Sequence, residues 1–121
     1  MSTRKTNGDR APLPQHKKDM PRFRKTIPVD DYVLDVLMRD IVGHDKQPAA
    51  YLAYIYLYAE AARAKWKPVP LSLRGLADAT GLSKSAVQTA LELLRRRRLI
   101  ETTSDHPTAT PEHRVLRPWR R

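Results

Sequence analysis

A mainly helical fold closing on a short antiparallel hairpin is what this sequence predicts, and three observations predict it. Four stretches carry apolar residues at helical spacing, each with a recognisable start or stop. After the last of them, Leu99–Thr103 changes to β-branched content and alternation. A polar stretch with Pro107 and Pro111, Ser104–Glu112, then leads to a second strand candidate over His113–Pro118.

The element around which the rest is arranged runs from Ser72 to Arg98. Ser72 is placed to cap a helix over about 73–79, its hydroxyl accepting from backbone N–H groups that have no partner within the helix. Thr80-Gly81 ends that helix, because glycine enters the left-handed conformation without the clash a Cβ brings. Ser83 caps a second helix over about 84–97, in which Val87, Ala90, Leu91 and Leu94 form one buried stripe. In the first helix Leu73, Leu76 and Ala77 do the same, and Ala77 is small enough for close crossing. Opposite the Val87 stripe lie Lys84, Ser85, Gln88, Thr89 and Glu92. An inert αα-hairpin with a polar outer face is the plain alternative; the short polar side chains on that face favour a surface that reads a ligand.

Two helices are expected before this pair. Ile27–Asp31 reads as an entry, with Asp30 as cap and Val29 and Leu34 placed for a hydrophobic staple. The helix then covers about 30–42, with Val33, Leu34, Leu37, Met38 and Ile41 on one side and Gly43 as its stop. Val36 and Val42 broaden the stripe, so more than one neighbour is expected, a homodimer contact among them. Pro48 suits the first turn of the next helix, about 48–66, whose Tyr51–Tyr58 run is apolar nearly all round and belongs in the core. Its tyrosines are expected to pack there with their hydroxyls reaching the surface. Pro68 and Pro70 keep Lys67–Leu71 extended, as a short edge strand.

Charge is unevenly spread over the 121 residues: the net +10 divides into +6 for residues 1–26, −1 for 27–67 and +5 for 68–121. That pattern, with a pI near 10.3, fits a polyanionic partner. Residues 1–26 hold eight Lys/Arg among prolines and little apolar content, so a disordered basic arm is expected there, with one domain over 27–121. With no cysteine, disulfides and thiolate metal sites are excluded. The longest apolar run, Ala49–Ala59, is eleven residues, and the opening segment has no apolar core, so a cytoplasmic chain without membrane contact is expected. No phosphate-cradling glycine loop, carboxylate pair or nucleophile arrangement is present, which argues against an enzyme. His106 and His113 would need a third ligand to hold a metal; no metal, cofactor or small-molecule ligand is expected.

The run VPLSLRGLADATGLSKSAVQTALELLRRRRLIE resembles the core of the winged helix-turn-helix superfamily of bacterial DNA-binding regulators, the match covering about Val69–Arg117. The resemblance implies a winged helix-turn-helix with two preceding helices and a wing at about 99–118. It also implies that Ser83–Thr89 enters the major groove of double-stranded DNA, while the loop between Thr103 and Arg114 lies along the backbone or minor groove. On that basis Ser85, Gln88 and Thr89 are assigned to base edges, and Arg74, Lys84, Arg114 and Arg117 to phosphates. The implied roles are transcriptional regulation, or plasmid or phage replication, in the nucleoid. An RNA-binding module and a protein-interaction module using the 30–42 helix are the rivals. One departure stands out: family members often carry glycine between the recognition helix and the next strand, where this chain has Arg98.

Overall fold

The computed structural model describes residues 25–120; the greater part of the expected basic arm, residues 1–24, lies outside them. The described chain is mainly helical. A leading helix with turns over Val33–Leu37 and Arg39–His44 is followed by α1 (Pro48–Arg63), β1 (Val69–Pro70), α2 (Leu73–Thr80), α3 (Lys84–Arg96), β2 (Ile100–Thr103) and β3 (Glu112–Val115).

The central element is α1. Pro48 occupies its first turn, where the missing N–H costs nothing. Ala50, Tyr51, Ala53, Tyr54, Leu57, Tyr58 and Ala61 are all buried, and α1 packs most extensively on α3. The three buried tyrosines are core residues, as expected, but their hydroxyls do not go to water. Tyr51 donates to the Val33 carbonyl at 2.8 Å, Tyr54 to the Leu116 carbonyl at 2.9 Å, and Tyr58 accepts from the Asp30 N–H at 3.1 Å. Each hydroxyl thereby ties a distant segment to the central helix and removes a buried unsatisfied group. Burial and the nearby Tyr58 hold the Tyr54 hydroxyl far above the ordinary phenol range.

The leading helix differs from expectation at several points. It is wound as π-helical turns, with Met38 N–H on the Val33 carbonyl and Asp45 N–H on the Asp40 carbonyl, five residues back. Val33, Leu37 and Ile41 form the buried row, while the neighbouring row of Leu34, Met38 and Val42 is exposed at 51%, 41% and 36%. Only half of the single wide stripe expected from the sequence is buried. Gly43 does not stop the helix, which continues to His44; the left-handed residue is Lys46, with φ 56°. Nor does the Asp30 side chain cap the helix. Its carboxylate accepts from Trp119 Nε1 at 2.8 Å and pairs with Arg120 at 2.9 Å, while Trp119 stacks on Tyr32. The Trp119 hydrogen bond is the main cause holding the Asp30 carboxyl below the usual carboxylate range. Val29 and Leu34, the expected staple pair, are 39% and 51% exposed.

Around α2 and α3 the local signals act as read. The Ser72 hydroxyl accepts from Gly75 N–H at 2.9 Å, the Ser83 hydroxyl from Ala86 N–H at 3.1 Å, and Gly81 closes α2 at φ 83°. Leu76, Ala77, Val87, Ala90, Leu91 and Leu94 are buried. At the end of α3, Arg98 adopts the left-handed conformation at φ 59°. Arg98 N–H bonds to the Arg95 carbonyl and Leu99 N–H to the Leu94 carbonyl, the two bonds of a Schellman cap. The same device ends α1 at Arg63, short of Trp66, with left-handed Lys65 and Trp66 N–H on the Ala61 carbonyl. Because a Cβ is disfavoured at Arg98, Arg98→Gly is expected to stabilise the domain by about 1 kcal/mol. A thermal melt checks this, with an expected rise of roughly 4–8 °C; an unchanged or lower midpoint would show that the arginine side chain offsets the strain.

The sheet is antiparallel with order β1-β3-β2. Val69 pairs with His113 and Pro70 with Glu112, while Ile100 pairs with Val115 and Thr103 with Glu112. Pro70 sits on the edge strand, where no ladder donor is needed. Ile100, His113 and Val115 turn into the core, and Glu101, Glu112 and Arg114 face outward, the period-two alternation of a half-buried sheet. No helix among the described residues is long and apolar enough to cross a membrane.

Candidate nucleic-acid interface

The two apolar stripes of α2 and α3 face the core, so the opposite face of α3 is presented outward. Lys84, Ser85, Gln88, Thr89 and Glu92 are all exposed on it. Ser85 sits in the first turn, two residues from the cap, its hydroxyl 3.3 Å from that of Ser83. The three residues assigned to base edges, Ser85, Gln88 and Thr89, therefore share one solvent-facing surface. Arg74 is exposed in the first turn of α2, and Lys84 is the first residue of α3.

Two depressions flank this face. On one side a groove of about 220 Å³ separates α3 from the hairpin and is lined by Gln88, Glu92, Arg95, Thr102, Pro111 and His113, with Leu73 and Leu91 beneath. On the other, a shallower depression of about 410 Å³ is shared by Ser85, Ala86 and Thr89 with Lys46, Gln47 and Pro48. Lys46 and Gln47 have no signal in the sequence linking them to α3; only the packing of α1 against α3 brings them there.

The remaining assigned cations are held differently. Arg114 stands on the outer face of β3, opposite Glu101 in the strand register. Arg117 lies with its guanidinium 3.5 Å from the centroid of the Trp66 ring, and Trp66 in turn meets Tyr58 edge-on. That stack uses the face of the Arg117 guanidinium for packing at the end of α1; Arg117 lines neither depression. Within Arg95–Arg98 each side chain has its own setting. Arg95 donates to Thr102 Oγ1, Arg96 is exposed, Arg97 forms a two-bond pair with Asp45, and Arg98 is the left-handed cap. Between Ser104 and Pro111 the hairpin loop contains no Lys or Arg, only Asp105 as a full charge. It is organised by its own hydrogen bonds, Ser104 Oγ to the His106 carbonyl and His106 Nδ1 with Thr108 Oγ1.

No family model, curated protein or solved structure matches this chain. What the surface can do therefore rests on its own chemistry.

His113 forms the polar floor of the hairpin-side groove and is 2% exposed. Its Nε2 lies 3.0 Å from the Leu71 carbonyl, which can only accept, so Nε2 carries the proton; Nδ1 then accepts from Thr102 Oγ1 at 2.9 Å. Thr102 in turn accepts from Arg95. The chain Arg95–Thr102–His113–Leu71 locks α3, the hairpin and the residue that follows β1 together. Both ring nitrogens are thus engaged, His106 lies in the exposed loop, and no group of three potential metal ligands occurs among the described residues. Burial, reinforced by Arg95, lowers the His113 pKa below its ordinary value of 6.5, against the opposing pull of the Leu71 bond. The folded state therefore binds this proton less well than the unfolded chain. The stability His113 contributes is complete above pH 6.5 and is lost as pH falls below it toward the folded pKa. A nitrogen-detected NMR titration is expected to find the His113 midpoint below 6.5, with the neutral Nε2–H tautomer on its basic side; a midpoint at or above 6.5 would contradict the buried arrangement.

Proposed function

We propose that this chain binds double-stranded DNA through α3, in a winged helix-turn-helix arrangement. In that reading α2 is the supporting helix and the β2–β3 hairpin is the wing. The observation that carries the reading is the outward face of α3: short polar side chains, all exposed, framed by a depression on either flank. Major-groove width admits a helix, and Gln88 has the paired donor and acceptor that match adenine N7 and N6. Ser85 and Thr89 complete the base-facing set; Arg74, Lys84 and Arg114 hold phosphates, with Arg117 committed first to Trp66. The concentration of positive charge in residues 1–26 and 68–121 supports the same partner. The biological setting is control of transcription, or of plasmid or phage replication, in the nucleoid.

Selection from randomised duplexes tests the reading. Wild type is expected to enrich one motif, and Gln88→Ala to relax a single base pair at a cost of roughly 1–3 kcal/mol of discrimination. An unchanged motif for the variant removes α3 as the reader; no motif from wild type together with tighter binding to structured RNA moves the assignment to RNA. A protein contact is the second reading, favoured by the exposed row Leu34, Met38 and Val42 on the leading helix. It concerns a different surface, and a homodimer through that row leaves α3 free.

A further inference from the structure

The flank of α3 turned away from the hairpin meets the segment Asp45–Pro48, which joins the leading helix to α1. This segment is strained and firmly held. Lys46 is exposed and left-handed at φ 56°, a conformation that disfavours any Cβ-bearing residue. Its neighbours fix it there: Asp45 N–H bonds to the Asp40 carbonyl at 2.8 Å and Gln47 N–H to the Ile41 carbonyl at 2.9 Å. The Asp45 carboxylate also receives two bonds from Arg97, at 2.5 and 3.1 Å, so the segment is tied to the end of α3 itself. As at Lys65 and Arg98, the left-handed residue closes a helix end, and these bonds hold the segment in a fixed place beside α3.

Charge placement gives this position a task. On the other flank Arg95 lines the groove but donates to Thr102, the hairpin loop carries no Lys or Arg between Ser104 and Pro111, and Arg114 stands opposite Glu101. On the Asp45–Pro48 flank, by contrast, Lys46 borders the same depression as Ser85 and Thr89. A helix lying in the major groove has a sugar–phosphate backbone along each side.

We propose that Lys46 is a phosphate-binding residue of the DNA interface, holding the backbone that borders Ser85 and Thr89. The inference rests on the DNA reading above and adds a second rim to it, built from a segment outside the helix pair and the wing. The ammonium acts as a point charge on a phosphate oxygen, so it contributes affinity and orientation but no sequence preference. Its place is set by folding: the Asp45–Arg97 pair positions the segment, and the left-handed turn directs Lys46 outward.

Lys46→Gly separates binding from folding, because glycine accepts the left-handed turn more readily than lysine. In the full chain the variant is expected to melt at the wild-type temperature or higher. Duplex DNA affinity is expected to fall about eightfold at 0.1 M salt, the factor supplied by releasing one counterion, and the salt slope to flatten by about one unit. The selected motif stays the same, and Lys46→Arg retains most of the affinity. If wild type binds duplex DNA and Lys46→Gly binds with the same affinity and slope, Lys46 is not at the interface and the DNA reading stands without it. If wild type shows no salt-dependent duplex binding, the DNA reading fails and this inference with it.

Discussion

Val87→Asp is expected to abolish the cooperative thermal transition of this domain. Val87 is fully buried in the stripe of α3 that packs into the core. An aspartate there loses the valine packing and buries a carboxylate with no partner, a cost of several kcal/mol. A small domain has about 5–15 kcal/mol of total stability to set against that. The neighbouring change Gln88→Ala removes an exposed amide and is expected to shift stability by no more than about 0.5 kcal/mol. Circular dichroism melts of the two variants give the comparison. Adjacent residues with opposite outcomes confirm which face of α3 points outward; equal loss from both would mean that the face assigned to DNA is part of the core.

The second large effect concerns salt. If about six phosphates are neutralised, the logarithm of the duplex association constant falls against log salt with a slope near −5. Between 50 and 200 mM that is a loss of roughly a thousandfold in affinity. Fluorescence anisotropy with a labelled duplex at four or five salt concentrations is sufficient to measure it. A slope near zero would remove DNA as the partner and leave the exposed row of the leading helix as the stronger clue. A steep slope without a selected motif would describe a backbone binder, with Ser85, Gln88 and Thr89 as solubilising residues.

The features legible in the sequence share one property: their partners lie within a few residues. Ser72 and Ser83 cap because the N–H each accepts from is three positions on. Gly81 and Arg98 take left-handed conformations because a helix ends immediately before each. Helical spacing alone decided which side of α3 is buried, so Ser85, Gln88 and Thr89 could be placed on the outer face before any tertiary contact was known. The extended segments themselves followed from proline chemistry and alternation within each, whereas their pairing, Val69 with His113 and Ile100 with Val115, is long-range.

Other features were decided only when distant segments met. Asp30 stands where a helix cap belongs, yet its carboxylate is taken by Trp119, 89 residues away, since an indole N–H and a guanidinium outcompete a cap that the first turn can do without. The leading helix carries enough apolar residues for one broad α-helical stripe. Packing against α1 buries Val33, Leu37 and Ile41 and leaves Leu34, Met38 and Val42 exposed. Arg117 has its guanidinium stacked over the Trp66 ring, a partner 51 positions away in the sequence that no local pattern announces. Lys46 offered no local signal at all and reaches the flank of α3 because α1 packs there and Asp45 pairs with Arg97. Backbone capping and side-chain periodicity act over one helical turn and are written in consecutive residues. The partner of a charge or an aromatic ring is chosen by packing, and packing brings together residues that the chain itself keeps far apart.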